Sequence, residues 1–167
     1  MKQKSIYLAG GCFWGTQHFM RQIRGVTETR VGYANGHTDH PTYDEVKHNH
    51  TGHAETVEVV YDETVLPTRK LLKCYFLSVD PTSLNRQGMD FGTQYRTGIW
   101  YTDESLAPDV EAALQELAAE IGCEPVIEHG PLQQFFDAET YHQDYLVKNP
   151  AGYCHISREL LEKAKSL

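Results

Sequence analysis

Apolar residues recur along this chain at two periods, and the switches between them mark out its elements. Residues 4–9 read as a short strand running into the glycine pair Gly10-Gly11. From Phe13 the spacing turns helical: Phe13, Met20 and Ile23 fall on one face, and Gly25 supplies a stop. Val26 to Tyr33, rich in Thr and Val, predicts a strand. Residues 34–53 show no period and read as a long loop around Gly36, Pro41, Asn49 and Gly52; such a loop in a compact domain is usually functional. Ala54 to Tyr61 is the clearest strand, with Val57, Val59 and Tyr61 alternating onto one side. Pro67 opens a helix with the stripe Leu71, Leu72, Tyr75, Phe76 and Val79, which Asp80-Pro81 stops. Arg96 to Tyr101 reads as a strand. Leu106, Val110, Leu114, Leu117 and Ile121 form the strongest amphipathic helix, with Pro108 in its first turn and Gly122 closing it. Pro125 to His129 predicts a further strand, and Asp137 the cap of a helix stapled by Phe136 and Tyr141. The tail after Cys154 is charged and weakly helical. Strands alternating with helices around one loop predict an α/β or α+β layer fold, and periodicity does not choose the topology.

Composition narrows the function classes. The chain has 167 residues, enough for one domain over 1–167 with its own core. Lys and Arg number 15 against 23 Asp and Glu, a net charge of −8, which argues against a nucleic-acid or anionic-membrane binder. The four cysteines form no C-x-x-C pair, so neither a disulfide scaffold nor a zinc knuckle is indicated. The apolar run Ile6 to Ala9 is cut by Gly10 and Gly11, too short for a signal peptide, and Cys12 lacks a Leu three positions before it. The expectation is a soluble, cytoplasmic protein with reduced thiols.

Four groups carry candidate chemistry. Cys12 lies in Gly10-Gly11-Cys12-Phe13-Trp14-Gly15, between a strand and a helix, where unpaired N–H groups and the helix dipole lower a thiol pKa. Trp14 falls off the apolar stripe and is expected near the surface beside that thiol. The alternative is a buried structural cysteine between two core aromatics. Glu55 shares strand parity with Val57 and Val59, so its carboxyl either enters the apolar side with a raised pKa, suited to a general acid, or frays outward. Tyr43 and Tyr95 can donate to an oxygen gaining charge, and Asp90 can orient one of them, hold a substrate amine, or serve only its turn. Cys154, after Asn149-Pro150 and Gly152, sits on an irregular segment suited to resolving a sulfenic acid. Cys74 and Cys123 read as structural. His37, His40, His48, His50 and His53 raise a metal-binding or sensing module as a rival, though their spacing matches no zinc pattern.

Gly11-Cys12-Phe13-Trp14-Gly15 resembles the peptide methionine sulfoxide reductases of the A class. So do Thr51-Gly52-His53-Ala54-Glu55, Asp80-Pro81-Thr82 with Asn85-Arg86-Gln87-Gly88, Asp90 with Gln94-Tyr95-Arg96, and Tyr141-His142-Gln143 with Asn149-Pro150 to Tyr153-Cys154, in family order. The resemblance implies an α/β sandwich with a ferredoxin-like core and an irregular C-terminal segment. It implies reduction of the S epimer of methionine sulfoxide, free or in proteins, as repair of oxidative damage. Cys12 would then be the nucleophile, Glu55 the acid, Tyr43 and Tyr95 donors to the sulfoxide oxygen, Phe13 and Trp14 the methyl pocket, and Asp90 a substrate contact. Cys154 would close a disulfide on Cys12, for a thioredoxin-like dithiol to reduce; no metal or cofactor is implied. Two departures stand out: Lys47 occupies a position where many members carry cysteine, and the tail from His155 to Leu167 holds no third redox cysteine. A two-cysteine cycle follows, with Cys74 or Cys123 as substitutes for Cys154. A thiol peroxidase using Cys12 is the remaining rival.

Overall fold

A computed structural model describes residues 2–167. Eight strands and six helices follow in the order β1 (Gln3–Ala9), α1 (Phe13–Arg21), β2 (Val26–Ala34), α2 (Tyr43–His48), β3 (Ala54–Asp62), α3 (Thr68–Leu77), β4 (Arg86–Gln87), β5 (Asp90–Phe91), β6 (Gly98–Tyr101), α4 (Ala107–Ile121), β7 (Glu128–Pro131), β8 (Phe135–Asp137), α5 (Tyr145–Lys148) and α6 (Arg158–Ala164). The main sheet runs β7-β6-β1-β3-β2-β8, with β4 and β5 as a separate hairpin. Only the β6–β7 pair is parallel. Within it, β1-α1-β2-β3-α3-β6 takes the strand order β6-β1-β3-β2, which is a ferredoxin-like core.

Strand alternation divides the sheet into two faces. Ile6, Leu8, Val31, Val57, Val59, Tyr61 and Ile99 turn toward Phe19 and Met20 of α1, Leu71, Leu72 and Tyr75 of α3, and Val110 and Leu114 of α4. Tyr7, Ala9, Ala34, Ala54 and Trp100 form a smaller cluster on the other face, partly covered by Leu132 and Phe135. The predicted fold class therefore stands, as a helical layer on a mixed sheet. Among the described residues no helix is long and apolar enough to cross a membrane.

Two expectations are corrected. The loop 34–53 contains α2, set by a reciprocal capping box: Glu45 N–H donates to Thr42 Oγ1 at 3.2 Å, and Thr42 N–H donates to Glu45 Oε1 at 2.9 Å. Six residues are too few for a helical period to show. Asp137 caps no helix. It ends β8, an edge strand too short to display alternation, in register with Gly32 of β2 and 3.3 Å from Arg30. Phe136 lies against the His40 and His53 rings, at 4.7 and 5.8 Å between centroids, instead of stapling to Tyr141.

Tyr75 anchors the strand ends that lead to the Cys12 turn. Its fully buried hydroxyl donates to the Ala9 carbonyl and accepts from Gly98 N–H at 3.3 Å. Tyr75→Phe removes a partner from both groups at once. It is expected to cost about 1–3 kcal/mol in urea unfolding; a change of a few tenths would show that the hydroxyl is not needed there.

Candidate active site

Cys12 is the N-cap of α1, with φ −62° and ψ 128°. Gly11 before it has φ +79°, a conformation that favours glycine, and its N–H donates to the Tyr95 carbonyl at 3.1 Å. Thr16 Oγ1 donates to the Gly10 carbonyl at 3.1 Å and closes the turn. The Trp14 N–H faces the Cys12 sulfur and favours the thiolate, but burial and the neighbouring Glu55 outweigh it. At 8% exposure the thiol is held well above its ordinary value, and not below it as its place at a helix start predicts. The one backbone N–H aimed at the sulfur, that of Trp14, does not offset loss of water and a nearby carboxyl.

Glu55 faces Tyr33 of β2 in the sheet register and turns toward the helical layer. It is 2% exposed, and its Oε1 accepts the Phe13 N–H at 3.1 Å. Burial raises its pKa to about 8, aided by Asp90 and opposed by the Phe13 N–H and Lys47, so it is protonated at neutral pH. Tyr43, the first residue of α2, and Tyr95, in a single 3-10 turn after Gly92, both lie within electrostatic reach of Glu55, Cys12 and Asp90. Burial, the largest cause, pushes Tyr43 up to about 12 and raises Tyr95 as well, so both phenols are neutral donors. Glu139 steadies this wall: its Oε2 accepts Tyr43 N–H at 2.9 Å and its Oε1 the Tyr33 hydroxyl at 2.8 Å.

The C-terminal segment supplies the opposite wall. Trp14 is half-buried rather than exposed: its ring stacks on Tyr145 at 3.7 Å and 7°, and Nε1–H donates to His142 Nδ1 at 2.9 Å. The buried His142 ring also meets Phe13 at 5.2 Å and Tyr43 at 4.6 Å. Tyr153 donates its hydroxyl toward both Asp90 oxygens at 3.1 Å. Cys154 is half-buried, and its Sγ stands 3.1 Å from where a Cβ on Gly15 would be. The segment is thus already seated on the Cys12 turn, with both thiols free.

Sequence reading missed His142, Tyr145, Tyr153 and Glu139. For His142 and Tyr145 the signal was the density of aromatic and polar residues in Tyr141-His142-Gln143-Asp144-Tyr145, a stretch with no regular period; Glu139 and Tyr153 left no such signal. Cys74 is buried as expected, but Cys123 is exposed just past Gly122 and is not a packing residue. His53 spends its ring on the loop backbone, with Nδ1 accepting Gly36 N–H at 3.1 Å and Nε2 lying 2.7 Å from the Thr38 carbonyl. Among the described residues no three His, Cys, Asp or Glu side chains converge as metal ligands.

A buried thiol beside a protonated carboxyl on a ferredoxin-like sheet fits a thiol-dependent oxidoreductase of the mixed α/β class. The sequence model of the family "Peptide methionine sulfoxide reductase" matches residues 4–166. The peptide methionine sulfoxide reductase MsrA of Lachnoclostridium phytofermentans is 53% identical over 163 residues, covering 98% of each chain. That of Clostridium acetobutylicum is 50% identical over 96% of this chain and 99% of its own. Among solved structures, Mxr1 from Saccharomyces cerevisiae in reduced form superposes with a TM-score of 0.87 at 37% identity, covering 93% of this chain and 92% of that one. The same yeast protein in complex with Trx2 gives 0.61 at 27% identity, over 86% and 85%. The chain belongs to the peptide methionine sulfoxide reductases. It is of their A class, the peptide-methionine (S)-S-oxide reductases, and so an oxidoreductase.

The Glu55 environment makes stability fall with pH. Unfolded, this carboxyl ionises near 4.5; folded, it keeps its proton to about 8, so between those values the folded state binds more protons and loses stability as pH rises. Glu55→Gln removes this loss. Relative to wild type, the variant is expected to gain on the order of 1–4 kcal/mol between pH 5 and pH 8 in urea titrations; parallel curves would mean that the carboxyl is ionised in the fold.

Proposed function

We propose that the enzyme reduces the S epimer of methionine sulfoxide by direct attack of Cys12 on the sulfoxide sulfur, with Glu55 as the acid. What carries this reading is the buried, protonated Glu55 carboxyl set against the Cys12 turn. A sulfoxide oxygen leaves only once it gains a proton, and a carboxyl with a pKa near the working pH supplies one. The Tyr43 and Tyr95 hydroxyls donate to the same oxygen as charge grows on it. As that oxygen takes the proton, positive charge develops on sulfur. This makes a bound sulfoxide the partner that draws out the Cys12 proton, which burial otherwise retains.

Three directions at the substrate sulfur then select one epimer. The methyl group rests against Phe13 and Trp14, the oxygen points to Glu55 and the two phenols, and the rest of the substrate leaves past Asp90 and Tyr153. Swapping methyl and oxygen puts an apolar group on buried donors and an oxygen on aromatic walls, both unfavourable. The oxygen passes to Cys12 as a sulfenic acid, and the thioether leaves as methionine. The Cys154 thiol then forms a disulfide with Cys12, releasing water, and a thioredoxin-like dithiol reduces it. The seating of Cys154 on Gly15 and the yeast relative's complex with Trx2 support these last steps.

The test is an epimer-resolved assay with dithiothreitol and with thioredoxin. Cys12→Ser should abolish turnover, and full activity in it would overturn the reading. Glu55→Gln should lower the rate by about 10²–10⁴-fold; an unchanged rate removes Glu55 as the acid. Cys154→Ser should release one equivalent of methionine and leave a sulfenic acid at Cys12. Normal recycling of that variant by thioredoxin would rule out Cys154 as the resolving thiol.

A further inference from the structure

The imidazole of His155, next in sequence to Cys154, lies across the Cys12 turn in a place made by two glycines. A Cβ on Gly11 would stand 2.7 Å from its Nε2, and a Cβ on Gly15 would stand 2.8 Å from its Nδ1. The same Gly15 position lies 3.1 Å from Cys154 Sγ, so ring and sulfur share one face of the first turn of α1. Both ring nitrogens are shut off from solvent without a well-formed hydrogen bond, and the Gly10 carbonyl is the one polar backbone group that pulls on the ring. The nearby Gly10 carbonyl already accepts the Thr16 hydroxyl. An unpartnered imidazole in such a place is costly. Nothing in the first step described above uses it.

We propose that His155 is the proton acceptor that readies Cys154 for disulfide closure. This rests on Cys154 being the resolving thiol. After the first step Cys12 is a sulfenic acid. The Cys154 S–H gives its proton to a His155 ring nitrogen, and the thiolate attacks Cys12 Sγ. The S–S bond forms, the Cys12 S–O bond breaks, and the leaving hydroxide takes the proton held by His155, giving water. The Cys154 sulfur is oxidised and the Cys12 sulfur reduced by the same amount, with no outside oxidant. Burial keeps the imidazole below its ordinary value, against the pull of Asp90 and the Gly10 carbonyl, so the ring is neutral and has a lone pair to accept with. Cys154 needs such help, because burial raises its own pKa and the Ile156 N–H offsets this only in part.

The experiment is a single turnover on methionine S-sulfoxide without added reductant. Methionine release, dimedone-trapped sulfenic acid and the Cys12–Cys154 disulfide are followed by mass spectrometry. The readout is the closure rate relative to methionine release, so a loss of fold, which lowers both, does not imitate the effect. In His155→Gln and His155→Asn the ratio should fall at least tenfold, with sulfenic acid accumulating, and added imidazole should restore closure in His155→Gly. Closure at the wild-type ratio in both amide variants would overturn the proposal. So would slow closure that imidazole does not relieve, which would leave His155 a wedge that only seats the segment. Failure of the underlying reading looks different: the wild-type disulfide would then join Cys12 to Cys74 or Cys123, and Cys154→Ser would close normally.

Discussion

The hydrogen bond from the Phe13 amide to the Glu55 carboxyl, 3.1 Å long, joins the start of α1 to the second residue of β3. Both partners are buried, which strengthens the bond between them. A helix start must place its first N–H groups somewhere, and here one goes to an acid in the sheet beneath. The turn that carries Cys12 is thereby fixed to the strand that carries Glu55. Tyr75 fixes the other side of the same turn by holding the ends of β1 and β6. Cys12 is thus placed by sheet and helical layer together, and its neighbours follow from that placement.

The bond also sets the electrostatics. Cys12 and Glu55 share one water-poor site, where burial raises the pKa of both, Glu55 adds to the cost of charge on Cys12, and Asp90 adds to that on Glu55. At rest both keep their protons. A thiolate exposed to solvent would meet any oxidant, including the peroxides that create methionine sulfoxide. In the reaction proposed above, a buried neutral thiol reacts poorly until a polar sulfoxide enters and takes a hydrogen bond from the acid. The helix start contributes geometry more than charge: its Trp14 N–H faces the sulfur but does not overcome burial.

How much of this could be read from the sequence follows from the range of the forces. Strand parity offered the helical side for Glu55 because alternation is local, but it left outward fraying open: burial in β3 alternates only from Val57 onward, while Ala54 to Val57 are all buried. Long stripes such as Leu106 to Ile121 gave α4 for the same reason. The direction of the Cys12 shift was not legible, because it depends first on burial and then on the Glu55 carboxyl, both of which only folding supplies. Short elements escaped as well. α2 depends on a two-residue exchange between Thr42 and Glu45, and β8 on finding the free edge of β2. Tyr145 and His142 left no period to follow, although Trp14 spends its ring face and its indole Nε1–H on them.

The C-terminal segment shows why an irregular chain serves here. A helix or strand spends its backbone groups on its own ladder and presents side chains at fixed intervals. Residues 139–155 instead bring Glu139, His142, Tyr145, Tyr153 and Cys154 to one turn at uneven spacing, through a 3-10 turn, the four-residue α5 and a left-handed Asp144. Gln143 attaches the segment to the sheet, accepting Val31 N–H and donating to the Val31 carbonyl, at 2.9 and 2.8 Å. Beyond Asn149 no comparable tie to the sheet holds the chain until α6, capped by Ser157. The stretch with Cys154 is therefore held at both ends, rests on the Cys12 turn and α1 at Gly11 and Gly15, and is joined to Asp90 through the Tyr153 hydroxyl. Such a stretch can shift with less disturbance of the sheet than the Cys12 turn, which is tied to β3, β6 and Tyr95. In the closure proposed above, the thiol asked to move, Cys154, lies on a segment with few ties to the sheet, and Cys12 lies where the sheet and the helix start are joined.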